Sequence, residues 1–418
     1  MSFLDGLFLF SMFSIWAMLF MNIVLTYYGH QYSVEVRDRR VNILRDMRNF
    51  PRISIMIPAH NEGRVIERTL LSMIRLNYPR DKYEIIVIND NSSDDTGEKI
   101  EEVKRHFKDV HIKHIVTTKE NGGKGKSNAL NIGFKQAKGE FIVVYDADNT
   151  PNPLALRYLA YEIDHHPEYG AVIGMFRTRN KNKNWLTKFI NIETLSFQWM
   201  AQAGRWKILK MSTIPGTNFI IRKKILDKID GWDTEAIAED TEISFRIYQM
   251  GYKISFMPLA KTFEQEPETI KVWIKQRTRW VNGNIYVLVK FIRKAFKIKQ
   301  SRIIFDLIYF FSVYFFFLTS ILVSDAIFLI GVFTDMRITI SGNYLLIWLF
   351  SYLVFILQVA IALSIEKGEN NKTNIFLLTI MYFSYCQLWL VVAIKGFISY
   401  IKKAITRGET KWYKTERF

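Results

Sequence analysis

The sequence is poor in cysteine and lacks the features of a repetitive or unfolded chain. Its 418 residues contain one cysteine, Cys386. A single cysteine excludes an intrachain disulfide framework and a zinc site built from several cysteines. No internal repeat and no low-complexity linker is visible in the sequence. Apolar residues make up 49% of the chain and aromatic residues 15%, which argues against intrinsic disorder. The length allows two or three domains.

Positive charge is in excess. The chain has 57 Lys and Arg against 40 Asp and Glu, a net charge of +17. Such a balance is typical of proteins that bind nucleic acid, a membrane surface or an anionic small molecule. Here the basic residues concentrate beside apolar runs. We therefore expect a lipid bilayer and an anionic small molecule as partners, and no nucleic acid.

The first apolar run covers residues 3–28 and is interrupted only by Asp5 and Asn22. As a helix it is long enough to cross about 30 Å of hydrocarbon. A cleaved signal peptide is the alternative, but the run is longer than its apolar region and no small-residue cleavage site follows. An arginine-rich stretch comes next, which places this side in the cytoplasm by the positive-inside rule: Arg37, Arg39, Arg40, Arg45, Arg48 and Arg52.

The middle of the chain, from about residue 53 to 265, has the pattern of an α/β domain. Short apolar runs at 53–57, 84–89 and 141–145 predict strands, and the stretches 62–76 and 95–107 predict helices. Strands that alternate with helices predict a mostly parallel sheet. Polar residues follow the strands directly, at the edge where open α/β sheets bind ligands.

The last third is apolar again, with runs at 303–333, 344–365 and 375–394. The run 303–333 is long for one span, so we expect a kinked hairpin or a re-entrant segment there. Its two acids, Asp306 and Asp325, are costly in lipid and should face protein or a polar channel.

Residues 272–296 mix Lys and Arg with Trp and apolar residues, which indicates an amphipathic helix in the membrane interface. The alternative is a surface helix of the α/β domain. One N-terminal span plus three C-terminal spans would place the tail outside the cell. The positive charges of the tail favour the cytoplasmic side. The span count and the charge of the tail therefore predict opposite sides of the membrane. No soluble regulatory domain is expected after the last apolar run.

Acidic residues stand out at four places, two of which directly follow predicted strands. Asp90 can accept hydrogen bonds from a nucleobase or a ribose, or it can simply cap the next helix. Asp146 and Asp148 can hold a hard divalent cation that bridges to a diphosphate. Glu239 and Asp240 form the third site, for which the alternative is a helix N-terminus with favourably placed acids. The fourth, Glu264-Gln265-Glu266, would on its own be only an acidic loop.

Two basic segments complement these acids. The loop around Gly122–Ser127 can present backbone amides and Lys126 to a diphosphate, although it is not a Walker A sequence. The segment from Gln276 to Trp280 places an amide, two arginines and an indole on about one helical turn. Arginine suits phosphate contacts and tryptophan can stack on a sugar ring. The alternative is an interfacial Arg/Trp anchor.

Taken in order, these motifs resemble the processive, membrane-embedded family 2 glycosyltransferases, which include the cellulose, hyaluronan, chitin and poly-N-acetylglucosamine synthases. Individually the motifs are weak, but the ordered set is specific, above all the Q-x-x-R-W signature near its end. They are Pro58-Ala59-His60-Asn61-Glu62, Asp90, Asp146-Ala147-Asp148, Gly216-Thr217-Asn218, Glu239-Asp240 and Gln276 to Trp280.

The resemblance implies a GT-A fold and a role for each motif. The metal, Mg²⁺ or Mn²⁺, would be held by Asp148 and Asp146. Asp240, with Glu239 beside it, would be the general base. Gly216, Thr217, Asn218 and Trp280 would lie beside the acceptor sugar. The nucleotide and its diphosphate would be bound by Pro58, Ala59, His60, Glu62, Asp90, Lys126, Asp146, Gln276, Arg277 and Arg279.

Two positions depart from the family pattern. His60 stands where many members have tyrosine, and Asn89 where many have a second aspartate. Neither change removes a presumed catalytic group, and both affect the expected contacts to the nucleobase. Regulation by an accessory subunit stays open.

The implied activity is inverting transfer of a sugar from a UDP-sugar to a growing polysaccharide, with secretion of the product from a bacterial plasma membrane. We lean to UDP-glucose and a cellulose-like or mixed-linkage (1,3;1,4)-β-glucan. The alternatives are a poly-N-acetylglucosamine, chitin or hyaluronan synthase, or a non-processive transferase acting on a lipid such as polyprenyl phosphate. The expected organisation is a transmembrane helix (1–30), a cytoplasmic GT-A domain (31–270), an interface helix (271–300), transmembrane helices (301–398) and a basic tail (399–418).

Overall fold

A computed structural model of the chain describes residues 2–292, 301–334, 338–340 and 342–406, and all structural statements below concern these residues. The strands are β1 Ile53–Ala59, β2 Tyr83–Asn89, β3 Ile112–Val116, β4 Phe141–Val144, β5 Thr150–Pro151, β6 Tyr169–Thr178, β7 Phe219–Arg222 and β8 Lys253–Glu264. The helices of the first half are α1 Phe3–Asp46, α2 Ile66–Ile74, α3 Thr96–His106, α4 Lys126–Phe134, α5 Ala155–His165, α6 Trp185–Ser196 and α7 Arg205–Leu209. Those of the second half are α8 Lys223–Lys228, α9 Glu239–Gln249, α10 Ile270–Ile292, α11 Ser301–Phe311, α12 Leu318–Phe333, α13 Tyr344–Ile365, α14 Lys372–Met381 and α15 Tyr385–Thr406.

Residues 53–264, the α/β domain, are built on one eight-stranded sheet of order β3-β2-β1-β4-β7-β6-β8-β5. The three strands predicted from the sequence are present as β1, β2 and β4, and β1 pairs in parallel with both β2 and β4. These strands are buried and rich in Ile and Val because helices cover both faces of the sheet. The prediction of a parallel sheet is confirmed for this half.

The other half of the sheet is mixed. Strand β7 pairs antiparallel with β4 and β6, while β6 and β8 pair in parallel. Strands β6, β7 and β8 were not predicted from the sequence. The β4–β7 pairing brings the segment just before Phe219 next to the end of β4, where Asp146 follows.

Helix α1 continues well past the predicted membrane segment. It spans 44 residues, about 66 Å at 1.5 Å per residue, so its second half runs beyond the hydrocarbon and packs on the α/β domain. There the Tyr32 hydroxyl donates to the carbonyl of Phe256, and Arg39 pairs with Glu162 at 2.9 Å. The helix therefore joins the membrane segment rigidly to the sheet.

Three of the described helices are long and apolar enough to cross a membrane: Phe3–Asp46, Ile303–Gly331 and Leu346–Ile365. A fourth candidate is a pair, Lys372–Met381 and Tyr385–Lys402, with a bend of 48° between the two helices. The expected hairpin in 303–333 is wrong, because α11 and α12 are joined by the π-helical turn Ser312–Phe317 into one helical stretch. The break between two helices falls instead in the third apolar run, between Met381 and Tyr385.

Asp306 on α11 has a protein partner, as its cost in lipid predicts. Its carboxylate pairs with the guanidinium of Arg205 on α7, and both side chains are only 2% exposed. The aromatic ring of Phe310 lies 5.1 Å from the same guanidinium. This buried pair fastens the start of the membrane stretch to the α/β domain.

Candidate active site

Lys126 connects three of the predicted motifs. Its ammonium group donates to Asp146 Oδ1 at 2.6 Å and to the carbonyl oxygen of Gly216 at 2.7 Å. The carboxylate of Glu239 lies 3.7 Å away. The lysine opens α4, Asp146 follows β4, and Glu239 opens α9. Residues far apart in the sequence thus meet at the carboxyl edge of the sheet.

The carboxylates at this point have shifted acidities. Burial raises the pKa of Glu239 to about 7, although the charge of Lys126 acts against the rise. Burial also raises the pKa of Asp240, again opposed by Lys126. Burial alone would lower the pKa of Lys126, but Asp146 and Glu239 raise it, so the lysine stays charged. Raised pKa values of buried carboxyl groups beside a cation are typical of proton-transfer sites.

Gly216 requires the absence of a side chain for two reasons. Its φ of +87° lies in the left-handed region that favours glycine. A Cβ atom there would also come within 2.9 Å of Asp240 Oδ2. The backbone of Gly216 therefore lies directly against the predicted base.

The two residues after Gly216 form hydrogen bonds that hold the backbone around the site in place. Thr217 Oγ1 accepts a hydrogen bond from the backbone N–H of Asp146 at 3.0 Å and donates to Asn149. Asn218 is fully buried, and its amide donates to the carbonyls of Met175 and Ala260. The structure thus brings Gly216 to the cleft, while the side chain of Asn218 ties strands together inside the domain.

The side chain of Asp148 is buried beside Asp146 and directed towards the end of β8. Its Oδ2 accepts a hydrogen bond from the backbone N–H of Gln265 at 3.1 Å, and only 3% of the residue is exposed. Across the described ranges no group of three or more His, Cys, Asp or Glu side chains could hold a metal ion. Asp146 and Asp148 offer oxygen ligands that suit Mg²⁺ or Mn²⁺, and other ligands would have to come from substrate and water.

The predicted nucleotide residues lie at the ends of β1 and β2. Asp90 Oδ1 accepts hydrogen bonds from Thr117 Oγ1 at 2.9 Å and from the Gly123 N–H at 2.8 Å, which holds the glycine loop in place. His60 Nδ1 donates to the Asp90 carbonyl at 2.6 Å. Pro58 and Ala59 are the last residues of β1, and the buried Glu62 follows. These residues are next to one another at the carboxyl ends of the two strands.

The two arginines of the Q-x-x-R-W segment point to different partners. Arg279 lies near enough to the carboxylates for its charge to oppose, less than Lys126 does, the rise in the pKa of Glu239 and Asp240. Arg277 is 2% exposed and pairs with Glu193 at 3.1 Å and Glu266 at 3.8 Å. Residues two apart on a helix do not share a face. The structure therefore brings Arg279, and not Arg277, to the Lys126 cluster.

Trp280 lies between Arg277 and solvent. The Arg277 guanidinium stands 3.9 Å from the centre of its ring, and 40% of the residue is exposed. Gln276 Oε1 accepts a hydrogen bond from Arg277 at 2.8 Å. One indole face is thus fixed by a cation, and the side chain remains accessible at the protein surface.

The sequence analysis missed three residues that hold this segment in place. Glu193 on α6 accepts hydrogen bonds from Arg277 and from the Tyr385 hydroxyl, the latter at 2.6 Å. Tyr385 also accepts one from Trp273 Nε1 at 3.0 Å. Glu266 was noted only as part of an acidic loop. An acid in an apolar helix, as at Glu193, was the one available signal.

The relatives of the chain point to one family. Residues 51–283 match the family model described as glycosyltransferase like family 2. The probable glycosyltransferase YdaM of Bacillus subtilis is 48% identical over 414 residues, 99% of this chain and 98% of that protein. The poly-β-1,6-N-acetyl-D-glucosamine synthase of Staphylococcus aureus strain COL is 35% identical over 248 residues, which cover 59% of this chain and 58% of the synthase.

Among solved structures, the mannosyltransferase PcManGT of Pyrobaculum calidifontis, determined with GDP-mannose and Mn²⁺, aligns with a TM-score of 0.55 at 19% identity. The alignment covers 92% of this chain and 98% of that one. This likeness concerns the fold, and it confirms the expected GT-A architecture with a mostly parallel sheet. Together with the match over 51–283 and the near full-length relative, it leads to one conclusion: the chain is an enzyme of glycosyltransferase family 2.

Proposed function

We propose that the protein is an inverting polysaccharide synthase that transfers a sugar from a UDP-sugar to the end of a growing chain. The observation that carries the proposal is the cluster in which Lys126 joins Asp146, Gly216 and Glu239. It brings together a cation, the strand-end carboxylate of Asp146 and the buried acid pair Glu239 and Asp240. A nucleoside diphosphate leaving group and an acceptor hydroxyl need such a combination.

The diphosphate is assigned to the side of the cleft with Lys126, Asp146 and Asp148. A bound Mg²⁺ or Mn²⁺ would screen the charge that develops on the leaving group. Asp146 and Asp148 supply the protein oxygens for it. In the free enzyme the ammonium of Lys126 neutralises Asp146, so donor binding would turn the lysine towards the phosphate oxygens. Arg279 is the second cation of this side.

Asp240 is assigned as the general base. An acceptor hydroxyl is a poor nucleophile, and a carboxylate within hydrogen-bond reach assists its attack by taking the proton. Direct attack with one base inverts the anomeric carbon, so an α-linked donor gives a β-linked product. Glu239, whose pKa lies at about 7, is the neighbour that sets the charge around the base.

Trp280 is assigned to the acceptor. Its accessible ring, stacked on Arg277 at 3.9 Å, can support the sugar at the end of the growing polymer. Such a platform distinguishes a polymerising enzyme from one that adds a single sugar to a lipid. The Q-x-x-R-W sequence around it carries the same inference.

For the donor we propose UDP-N-acetylglucosamine, with a β-linked N-acetylglucosamine polymer as product. The named synthase at 35% identity makes a polymer of this sugar, and no relative named above supports our lean to UDP-glucose and a β-glucan. The membrane helices, with their aromatic residues, are proposed to carry the polymer across a bacterial plasma membrane while the α/β domain faces the cytoplasm.

The test is a donor screen on the purified full-length protein in bilayers, with labelled UDP-N-acetylglucosamine and UDP-glucose and with Mg²⁺ or Mn²⁺. A labelled polymer of high mass from UDP-N-acetylglucosamine supports the proposal, and linkage analysis then defines the product. Polymer from UDP-glucose would instead support a β-glucan as the product. A labelled lipid without polymer, or no release of UDP from any donor, would overturn the synthase.

A further inference from the structure

The turn between α13 and α14 lies against the α/β domain. Arg177 at the end of β6 pairs with Glu366 and with Glu369, each at 2.5 Å. Lys261 on β8 pairs with Glu366 at 2.8 Å. Glu369 is 1% exposed, so this is a buried, multiply paired contact. The carboxyl end of α13 is thereby fixed on the side of the α/β domain.

The other end of α13 lies at the start of α1. The carboxylate of Asp5 accepts hydrogen bonds from the Thr339 N–H at 2.9 Å and from its hydroxyl at 2.6 Å. Thr339 belongs to the connection between α12 and α13. Gln358, midway along α13, donates to the carbonyl of Leu19 on α1. Helix α13 therefore runs alongside α1 from the far end of the apolar layer back to the α/β domain.

Helix α15 does not follow this course, because both its beginning and its later part stay on α10. Tyr385 contacts Trp273 at the start of α10. Gly396 lies against Val281, and Ser399 accepts a hydrogen bond from Asn282 at 2.9 Å. The 15 residues from 385 to 399 extend about 21 Å as a helix. Contacts with α10 occur at both ends of this length.

Helix α10, in turn, is attached to the α/β domain along its length. Arg277 pairs with Glu193 near its beginning. In the middle, a Cβ atom on Gly283 would meet the Cβ of Ala238 at 2.8 Å, a measure of how closely the two backbones approach. Near its end, Lys290 pairs with Asp233 at 2.7 Å. A helix that follows α10 from 273 to 282 therefore stays beside the α/β domain over this length.

The outward face of α15 is an apolar stripe with lysines at its margin. The stripe residues recur every three or four positions, which places them on one side of the helix, and each is more than 40% exposed: Val391, Ile394, Ile398, Ile401 and Ile405. Lys395 and Lys402 lie next to the stripe, and Val392 on the inner side is fully buried. An apolar face flanked by lysines is typical of helices that lie in a membrane interface.

We propose that α15 is a second interface helix, whose stripe is covered by phospholipid of the leaflet that faces the α/β domain. Lipid is favoured over water or protein because α1, α12 and α13 already place the bilayer on this side of the domain, and because lysines attract anionic headgroups. The chain then crosses the bilayer three times, and α15 ends on the same side as the α/β domain. That side agrees with the positive charge of the basic tail (399–418), whose residues 407–418 lie outside the described residues.

The experiment measures depth along two helices of the full-length protein in bilayers that contain phosphatidylglycerol. In a Cys386→Ser background, single cysteines replace Ile394, Ile398, Ile401 and Ile405 and carry a nitroxide. The matched control is α13, whose Leu346, Leu349, Leu353 and Leu357 have the same spacing and are also exposed. The readout is the accessibility of each label to oxygen against a water-soluble nickel complex.

If α15 lies in the interface, its four labels share one shallow depth in the bilayer. The α13 labels should deepen steadily from Leu346 towards the middle of that helix. A depth gradient along α15 like that of α13 would overturn it in favour of a fourth span. Labels on α15 that are open to the nickel complex throughout would show that no lipid covers the stripe. Spin–spin coupling between copies, with no access to oxygen, would make a second copy the occupant. If the serine variant does not fold, Cys386→Ala replaces it.

Discussion

Replacement of Gly216 by alanine isolates the contact between the turn and the predicted base. A left-handed φ costs an alanine about 1–2 kcal/mol wherever it occurs. At Gly216 the added Cβ would also stand 2.9 Å from Asp240 Oδ2, where ordinary contacts begin at 3.4 Å. The carboxylate must therefore shift by several tenths of an ångström. A misplacement of about 1 Å costs up to about 10²-fold in rate, so we expect a loss of about tenfold in kcat.

Gly251 provides the matched control, since its φ of +85° equals that of Gly216 and a Cβ there would meet nothing within 4 Å. Gly251→Ala and Gly216→Ala should lower the melting temperature similarly. Only Gly216→Ala should lower the rate of UDP release at saturating donor. Equal turnover in the two variants would refute the placement of Asp240 against Gly216.

Three further predictions address the acceptor platform, its support and the acid pair. Trp280→Ala should lower polymer formation more than donor binding, and equal loss of both would indicate a folding defect instead. Tyr385→Phe removes a hydrogen bond to Glu193, the carboxylate that holds Arg277 under Trp280. The KM for the acceptor should therefore rise several-fold, while the Kd for UDP stays unchanged. A rise in both the KM and the Kd would count against this positioning role. The pKa of Glu239 is about 7 in the folded protein, against 4.5 in the unfolded chain. The unfolded chain therefore loses this proton first as pH rises from about 4.5 to 7. The free energy of unfolding falls over this range by up to roughly 3 kcal/mol. The melting temperature of the wild type should therefore fall relative to Glu239→Gln between pH 5 and pH 8, and parallel curves would contradict the shifted acidity.

The first half of the sheet and the motifs on its edge could be predicted from the sequence. Strands β1, β2 and β4 are buried on both faces, and this leaves unbroken runs of Ile and Val that periodicity detects. The polar residues after them meet because parallel strands share a carboxyl edge. The partner that joins these residues, Lys126, was found through its glycine-rich loop.

The support of Trp280 could not be predicted, because it depends on contacts between distant segments. Glu193 and Tyr385 are separated by 192 residues, and neither stands in a motif. Helical geometry predicts that Arg277 and Arg279 lie on different faces of α10. Which residues each arginine meets depends on the neighbours of α10, which the sequence does not show. The course of α15 could not be predicted for the same reason, because it depends on how this helix packs on α10.

The central claim is that Asp240 removes the proton from the acceptor in a cleft whose other side binds the nucleotide. The direct measurement is Asp240→Asn, with UDP binding by calorimetry in the presence of Mn²⁺ and sugar transfer from the preferred donor on the same preparation. We predict a Kd for UDP within about threefold of the wild type and a loss of transfer of about 10³-fold, within the range of a positioned base. Near-normal transfer by the variant would contradict the assignment.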